Sequence, residues 1–204
     1  MKRLLGLLLV AGLAPATGYA QNYFGPRLHL LLNMGLMHVS RYAADPARAP
    51  VTQRPLSIGL QCGADQPVVR FSDHQALGVS VSAGIDVAAS FRFDEKSLPS
   101  RLLFSVPGFV TWRYGAGATR QASQRHGVGA GIGYRFGYVL MPRYYCPVAM
   151  LEYDYDQIDS QFFLRFITDL RSVTYQPPTT GTATGTATGY TQVQTWQLTV
   201  GHSL

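Results

Sequence analysis

Residues 126–140, HGVGAGIGYRFGYVL, alternate apolar side chains with small or charged ones along their whole length. This restricts the chain more than any other feature. Val128, Ala130, Ile132, Tyr134, Phe136, Tyr138 and Leu140 share one face; Gly127, Gly129, Gly131, Gly133, Arg135 and Gly137 share the other. A period of two puts successive side chains on opposite faces of a β-strand. The second face is not the Lys, Glu and Thr surface that a soluble sandwich turns to water. A row of glycines around one arginine belongs to a crowded interior, where neighbouring chain approaches closely. The apolar face is then the outside, the pattern of a strand that crosses a membrane as part of a closed barrel.

The beginning of the chain fits that destination. Lys2 and Arg3 precede the apolar run 4–13, and the small-residue site Gly18-Tyr19-Ala20 precedes Gln21. This reads as a secretory signal peptide over residues 1–20, cleaved after Ala20. The apolar run is too short for a spanning helix, which needs roughly twenty residues. Residues 21–204 form one domain. Without Lys2 and Arg3, 15 basic residues stand against 11 acidic ones, a net charge of +4. Lys96 is then the lone lysine, and the arginines sit singly within apolar alternation rather than in a run. Nucleic acid is therefore not an expected partner.

Eight segments carry the alternation: 27–40, 56–62, 77–93, 101–114, 126–140, 145–155, 162–171 and 195–204. In 27–40, Leu31, Met37 and Val39 blur it, and Pro107 marks an expected bulge in the fourth segment. Residues 65–75 read either as a strand prolonged past a bulge at Pro67 or as part of a turn. The proline-bearing stretch 41–54 and the Pro, Thr, Gly and Ala stretch 176–189 are loops. With both termini in the periplasm, the connections 41–54, 94–100, 141–144 and 174–189 face outward. The alternate connections should then be short, yet 63–76 and 115–125 are long.

Charge assigns the faces independently of the apolar residues. Arg27, Asp86, Arg92, Arg101, Arg113, Arg135, Glu152, Asp154, Arg165, Asp169 and Arg171 all share the face of the glycines and serines. An arginine facing lipid at mid-bilayer costs about 2 to 4 kcal/mol, so these residues must face the lumen. In a bilayer a sheet must close on itself, and eight strands is the smallest usual number. The expected fold is all-β: a closed antiparallel transmembrane barrel of eight strands, its interior just filled by side chains. The expected filling is a structural network of Asp86, Arg92, Arg113, Arg135, Glu152, Asp154, Arg165, Asp169 and Arg171, since buried charges need partners. Cys62 falls on the apolar face and Cys146 on the polar one, so the barrel wall separates them and opposes a disulfide.

In this pattern the chain resembles the small outer-membrane β-barrels of Gram-negative bacteria, the class that includes the OmpX-like and PorT-like proteins. The resemblance spans residues 21–204 and rests on the alternation rather than on a diagnostic motif. It implies an outer-membrane location, contact with outer-membrane lipid, and insertion by the barrel-assembly machinery. A surface ligand at the outward connections fits the resemblance, which does not specify its kind. The alternative fold is a secreted soluble β-sandwich or lipocalin-like barrel that binds an apolar ligand; a small pore and a lipid A-modifying barrel enzyme are lesser alternatives.

No residue pattern demands catalysis. Ser72-Asp73-His74 holds the residue types of a triad, but triad members rarely come from one tripeptide, and a polar turn accounts for them. His202-Ser203 resembles the His and Ser of lipid A deacylase barrels, yet it falls at the periplasmic end with the two side chains on opposite faces. Glu152 and Asp154 as an acid–base pair compete with a salt-bridge network among arginines. Neither a metal motif nor a cofactor fingerprint is present; the glycines of 127–133 lie in a strand, without the turn and helix of a nucleotide site.

Overall fold

The structure, a computed structural model, describes residues 26–43, 47, 49–89, 101–119, 121–139, 143–157, 160–175 and 190–203. The expected signal peptide, Arg92 and the stretch 176–189 lie outside these residues. The elements are β1 (Arg27–Tyr42), β2 (Val51–Gln53), β3 (Leu56–Ser72), β4 (Gln75–Ala89), β5 (Arg101–Gly115), β6 (His126–Val139), β7 (Arg143–Gln157), β8 (Ser160–Asp169), β9 (Val173–Tyr175) and β10 (Tyr190–Ser203). They form one antiparallel sheet in the order β2-β1-β3-β4-β5-β6-β7-β8-β10-β9, closed by a β1–β10 ladder from His29↔Ser203 to Tyr42↔Tyr190. Eight long strands make the barrel. β2 and β9 are three-residue additions at one rim, where β2 prolongs the line of β3 against β1 and β9 prolongs that of β8 against β10.

The long strands hold 10 to 17 residues, enough for the roughly nine to eleven that a tilted strand needs to span a bilayer. Over their central residues the outward faces are apolar. Leu30, Leu32, Ile58, Leu60, Val81, Ile85, Val110, Ile132, Leu151 and Val200 are exposed, Ile132 to 68% and Leu151 to 63%. Aromatic side chains flank this band. Trp112 and Tyr114 stack, and His126 lies against Tyr153 and Tyr155, toward the end that carries the termini; Phe136 and Tyr145 meet toward the other. Such girdles mark the two interfaces of an outer-membrane barrel. A lipocalin-like protein would reverse the faces, with a polar exterior and an apolar interior, so that alternative is overturned.

Several sequence readings change in detail. β3 runs to Ser72, so most of 63–76 is strand and the connection to β4 shrinks to Asp73 and His74. Register shifts at Pro67/Val69 and at Arg70/Ser72 place the bulges there. Pro107 is not a bulge. The ladder from β5 to β6 runs through Pro107↔Arg135 without a shift, and the Pro107 ring lies buried inside. Leu31, Met37 and Val39 do not break the alternation of β1, because all three point inward with His29 and Asn33. Cys62 is exposed on the outer face, Cys146 is buried within, and both are free.

Candidate functional site

The lumen is the place to look for chemistry, because every strand delivers its non-apolar face there. Side chains fill it in layers, beginning at the end with the termini. Gly115 and Gly117 take φ of 84° and 81°, a left-handed backbone that glycine adopts without strain. These two turns fold Ala116, Gly117, Ala118 and Thr119 into the barrel mouth, where all four are buried. Arg27 donates to the Gly117 carbonyl and, at 3.1 Å, to Gln161 Oε1. Thr119 Oγ1 donates to the Asp73 carbonyl. Residues 116–119 are thus an inward cap, which explains why the connection between β5 and β6 is longer than a hairpin needs.

Above the cap lies an ion-paired quartet. Arg113 Nη2 reaches Asp65 Oδ2 at 2.6 Å, and its Nε reaches Glu152 Oε1 at 2.7 Å. Arg165 donates through Nε to Glu152 Oε2 at 2.6 Å and lies 3.4 Å from Asp65 Oδ2 through Nη2. All four residues are buried, and the Arg165 guanidinium also stands 5.0 Å over the Phe163 ring. The next layer is apolar: Phe109, Val148, Met150 and Ile167 pack together. Beyond it Arg135 pairs with Asp169 at 3.2 Å and donates to Thr195 and Gln197, while Asp86 accepts from Asn33 at 3.2 Å. Met37, Val39, Ala88 and Leu103 then close the far end, with Val193 against them.

The interior glycines are what let these side chains fit. A Cβ at Gly201 would overlap the Phe163 ring, one at Gly137 the Tyr144 ring, and one at Gly63 would stand 2.5 Å from His29 Nε2. A cavity of about 20 Å³ beside Asp86, Arg135, Tyr144, Thr195 and Gln197 holds no more than a water molecule.

The structure brings Arg113, Glu152 and Arg165 together in one cluster and Arg135 with Asp169 in another. It sets Asp86 against Asn33, and it buries Asp154 beside Gly117 of the cap. Arg171 is a correction: β8 ends at Asp169, so Arg171 falls in a bend and is exposed rather than luminal. Asp65 was missed by sequence reasoning although it anchors the quartet. It continues the parity of Gly59, Gln61 and Gly63, a signal hidden by ending that strand at Cys62. Ser72, Asp73 and His74 form the β3–β4 hairpin, with His74 N donating to Ser72 Oγ at 3.3 Å and Asp73 paired to Arg70. His202 lies edge-on to Phe162, 5.0 Å between ring centres. Among the described residues, no group of His, Cys, Asp or Glu has the geometry of a metal site.

No protein-family model matches the chain, and no curated protein matches it. Solved structures do. Outer membrane protein OprG from Pseudomonas aeruginosa superposes with a TM-score of 0.50 at 11% identity, covering 88% of this chain and 96% of that one. The fold is that of the small outer-membrane β-barrels. Neisserial surface protein A (TM-score 0.44, 9% identity, 88% and 98% covered) and Ail of Yersinia pestis (0.34, 11%, 87% and 98%) are more distant matches. At such identities the likeness to OprG extends to the fold of this barrel and no further.

Proposed function

We propose that this chain is an integral protein of a bacterial outer membrane, and that it is a non-enzymatic scaffold whose outward connections carry recognition. The observation that supports the scaffold reading is the quartet of Asp65, Arg113, Glu152 and Arg165, which occupies the lumen where a pore or substrate channel would have to pass. With the interior filled, variable surface remains at the ends, and a rigid barrel presenting loops is a common way to build a binding surface. The termini end, with its two-residue β3–β4 turn and its inward cap, takes the periplasmic side. The opposite rim carries the connections around 43–55 and 170–189 and takes the cell surface. Insertion by the barrel-assembly machinery goes with this reading. So do outer-membrane lipid around the wall and a surface ligand at the rim.

Cell fractionation with heat-modifiable gel mobility is the direct test. The expected result is recovery with the outer membrane and a band that migrates faster unheated than boiled. Recovery as a soluble periplasmic or extracellular protein without detergent overturns the location.

A further inference from the structure

The lipid-facing surface changes character at one level on β1 and β10. Outward Leu32, Met34 and Leu36 give way to His38, Ser40 and Tyr42, and outward Val200, Leu198 and Trp196 give way to Gln194, Gln192 and Tyr190. The parity holds across the change, because Met37 and Val39 continue inward and pack with Leu103 and Val193. The ladder runs on without a shift from Leu36↔Trp196 to Tyr42↔Tyr190, and β2 and β9 widen it to four strands. The six residues from Leu36 to Tyr42, at about 3.3 Å each and a tilt of about 40°, carry this sheet roughly 15 Å past the Leu36–Trp196 pair. A phospholipid headgroup layer is only about 5 to 8 Å deep.

The outward face of this extension is polar and aromatic. One register row crosses the four strands as Thr52, Ser40, Gln192 and Thr174, of which Thr52 and Thr174 are exposed. Above it Tyr42 and Tyr190 stack with ring centres 4.5 Å apart and planes 11° from parallel, both half-buried. Below it stand His38 and Gln194. Ser40 Oγ lies 3.2 Å from His38 Nε2 and 3.5 Å from Thr52 Oγ1, and Gln194 Nε2 donates to the Asp169 carbonyl at 3.4 Å, so these groups are held in place. Hydroxyls and amides both donate and accept hydrogen bonds, and a tyrosine offers an apolar ring beside a polar tip. A sugar ring has the complementary make-up, with hydroxyls around its edge and C–H groups on its faces.

Position selects the occupant. The extension continues the wall that lipid covers, on the same strands and the same face, so a lipid packed against Leu36 and Trp196 raises its head over His38, Gln194 and the row above them. A head that reaches the tyrosine pair must be taller than that of a phospholipid. We propose that this face binds the oligosaccharide head of the glycolipid in the outer leaflet. The inference rests on the outer-membrane placement above, and it gives this part of the rim an occupant of defined chemistry.

The test uses purified wild-type protein in neutral detergent micelles, with lipopolysaccharide that carries a core oligosaccharide as the probe and lipid A, which lacks it, as the comparison. At high salt, where phosphate contacts are screened, the core-bearing glycolipid should bind at least about tenfold more tightly than lipid A. Tyr42→Ala with Tyr190→Ala should remove most of that advantage and leave lipid A binding unchanged, whereas Tyr153→Ala, in the girdle at the other end, should keep it. If the double variant lacks heat-modifiable mobility, Gln192→Ala with Thr174→Ala should reduce the advantage by about threefold or more. Equal binding of the two lipids overturns the proposal, and so does an undiminished advantage in the folded variants. Free core oligosaccharide that binds as tightly as the whole glycolipid also overturns it, because the face would then take a soluble glycan rather than the membrane's own lipid. Soluble recovery of the wild type instead refutes the membrane placement. A membrane-recovered, folded wild type that does not distinguish the two lipids refutes the saccharide face alone.

Discussion

Glu152 divides its two carboxylate oxygens between guanidinium groups from different strands, Oε1 to Arg113 on β5 and Oε2 to Arg165 on β8. Taking one partner out of a buried pair leaves an uncompensated charge, which costs on the order of 3 to 5 kcal/mol, whereas the intact pair contributes far less. Glu152→Ala is therefore expected to lower the unfolding temperature in detergent clearly, while Thr184→Ala in the stretch 176–189 leaves it near the wild-type value. Equal effects would refute the view that the quartet holds the interior. At this scale, parity alone places Arg113, Glu152 and Arg165 on the inner face. Which arginine meets which carboxylate depends on the register between distant strands, and no local pattern encodes that. Asp65 lay on the right parity but beyond Cys62, in a segment whose rhythm is disturbed by Pro67 and its register shift.

Among the elements, β6 is the most legible because its two faces meet such different surroundings: Ile132 meets lipid, while Gly131 has the Val110 carbonyl 3.0 Å from where its Cβ would sit. The short strands β2 and β9 were not legible, since three residues carry no period and their existence depends on the upward extension of the β1–β10 ladder. The cap at 116–119 was equally hidden. Its apolar and small residues resemble any loop until Gly115 and Gly117 turn the chain inward. The assignment of faces yields a test in which removing bulk and adding charge separate. Ile132→Ala and Val81→Ala should change stability by less than about 1 kcal/mol, because lipid tails occupy the vacated volume, whereas burial in a packed core makes such truncations cost about 2 to 5 kcal/mol. Ile132→Arg and Val81→Arg should cost about 2 to 4 kcal/mol and reduce the fraction that folds into vesicles, read by heat-modifiable mobility. Alanine losses of core size would show that this face is not lipid-exposed.

For the molecule as a whole, the order of layers matters more than any one of them. Cap, ion-paired quartet, apolar cluster, second ion-paired layer and apolar closure follow one another along the barrel axis, so an ion entering from either end meets both fixed charge pairs and the cluster of Phe109, Val148, Met150 and Ile167. A path for ions needs continuous water, and beside Arg135 the cavity of about 20 Å³ accommodates a single molecule, while the quartet fills the lumen with paired charge. Eight strands leave an interior just wide enough for side chains, so opening a channel would require the quartet or the Phe109–Met150 cluster to withdraw. Purified wild type in a planar bilayer is therefore expected to show no steady conductance across the voltages at which wide porins conduct. Glu152→Ala tests the same closure from the other side. It removes one partner from each of two guanidinium groups and a carboxylate's volume from the quartet but leaves Phe109, Val148, Met150 and Ile167 in place, so it should lower stability without opening a channel. Large, steady, ion-selective currents from the wild type would show that the layers part in a membrane, and the function would move from scaffold to pore.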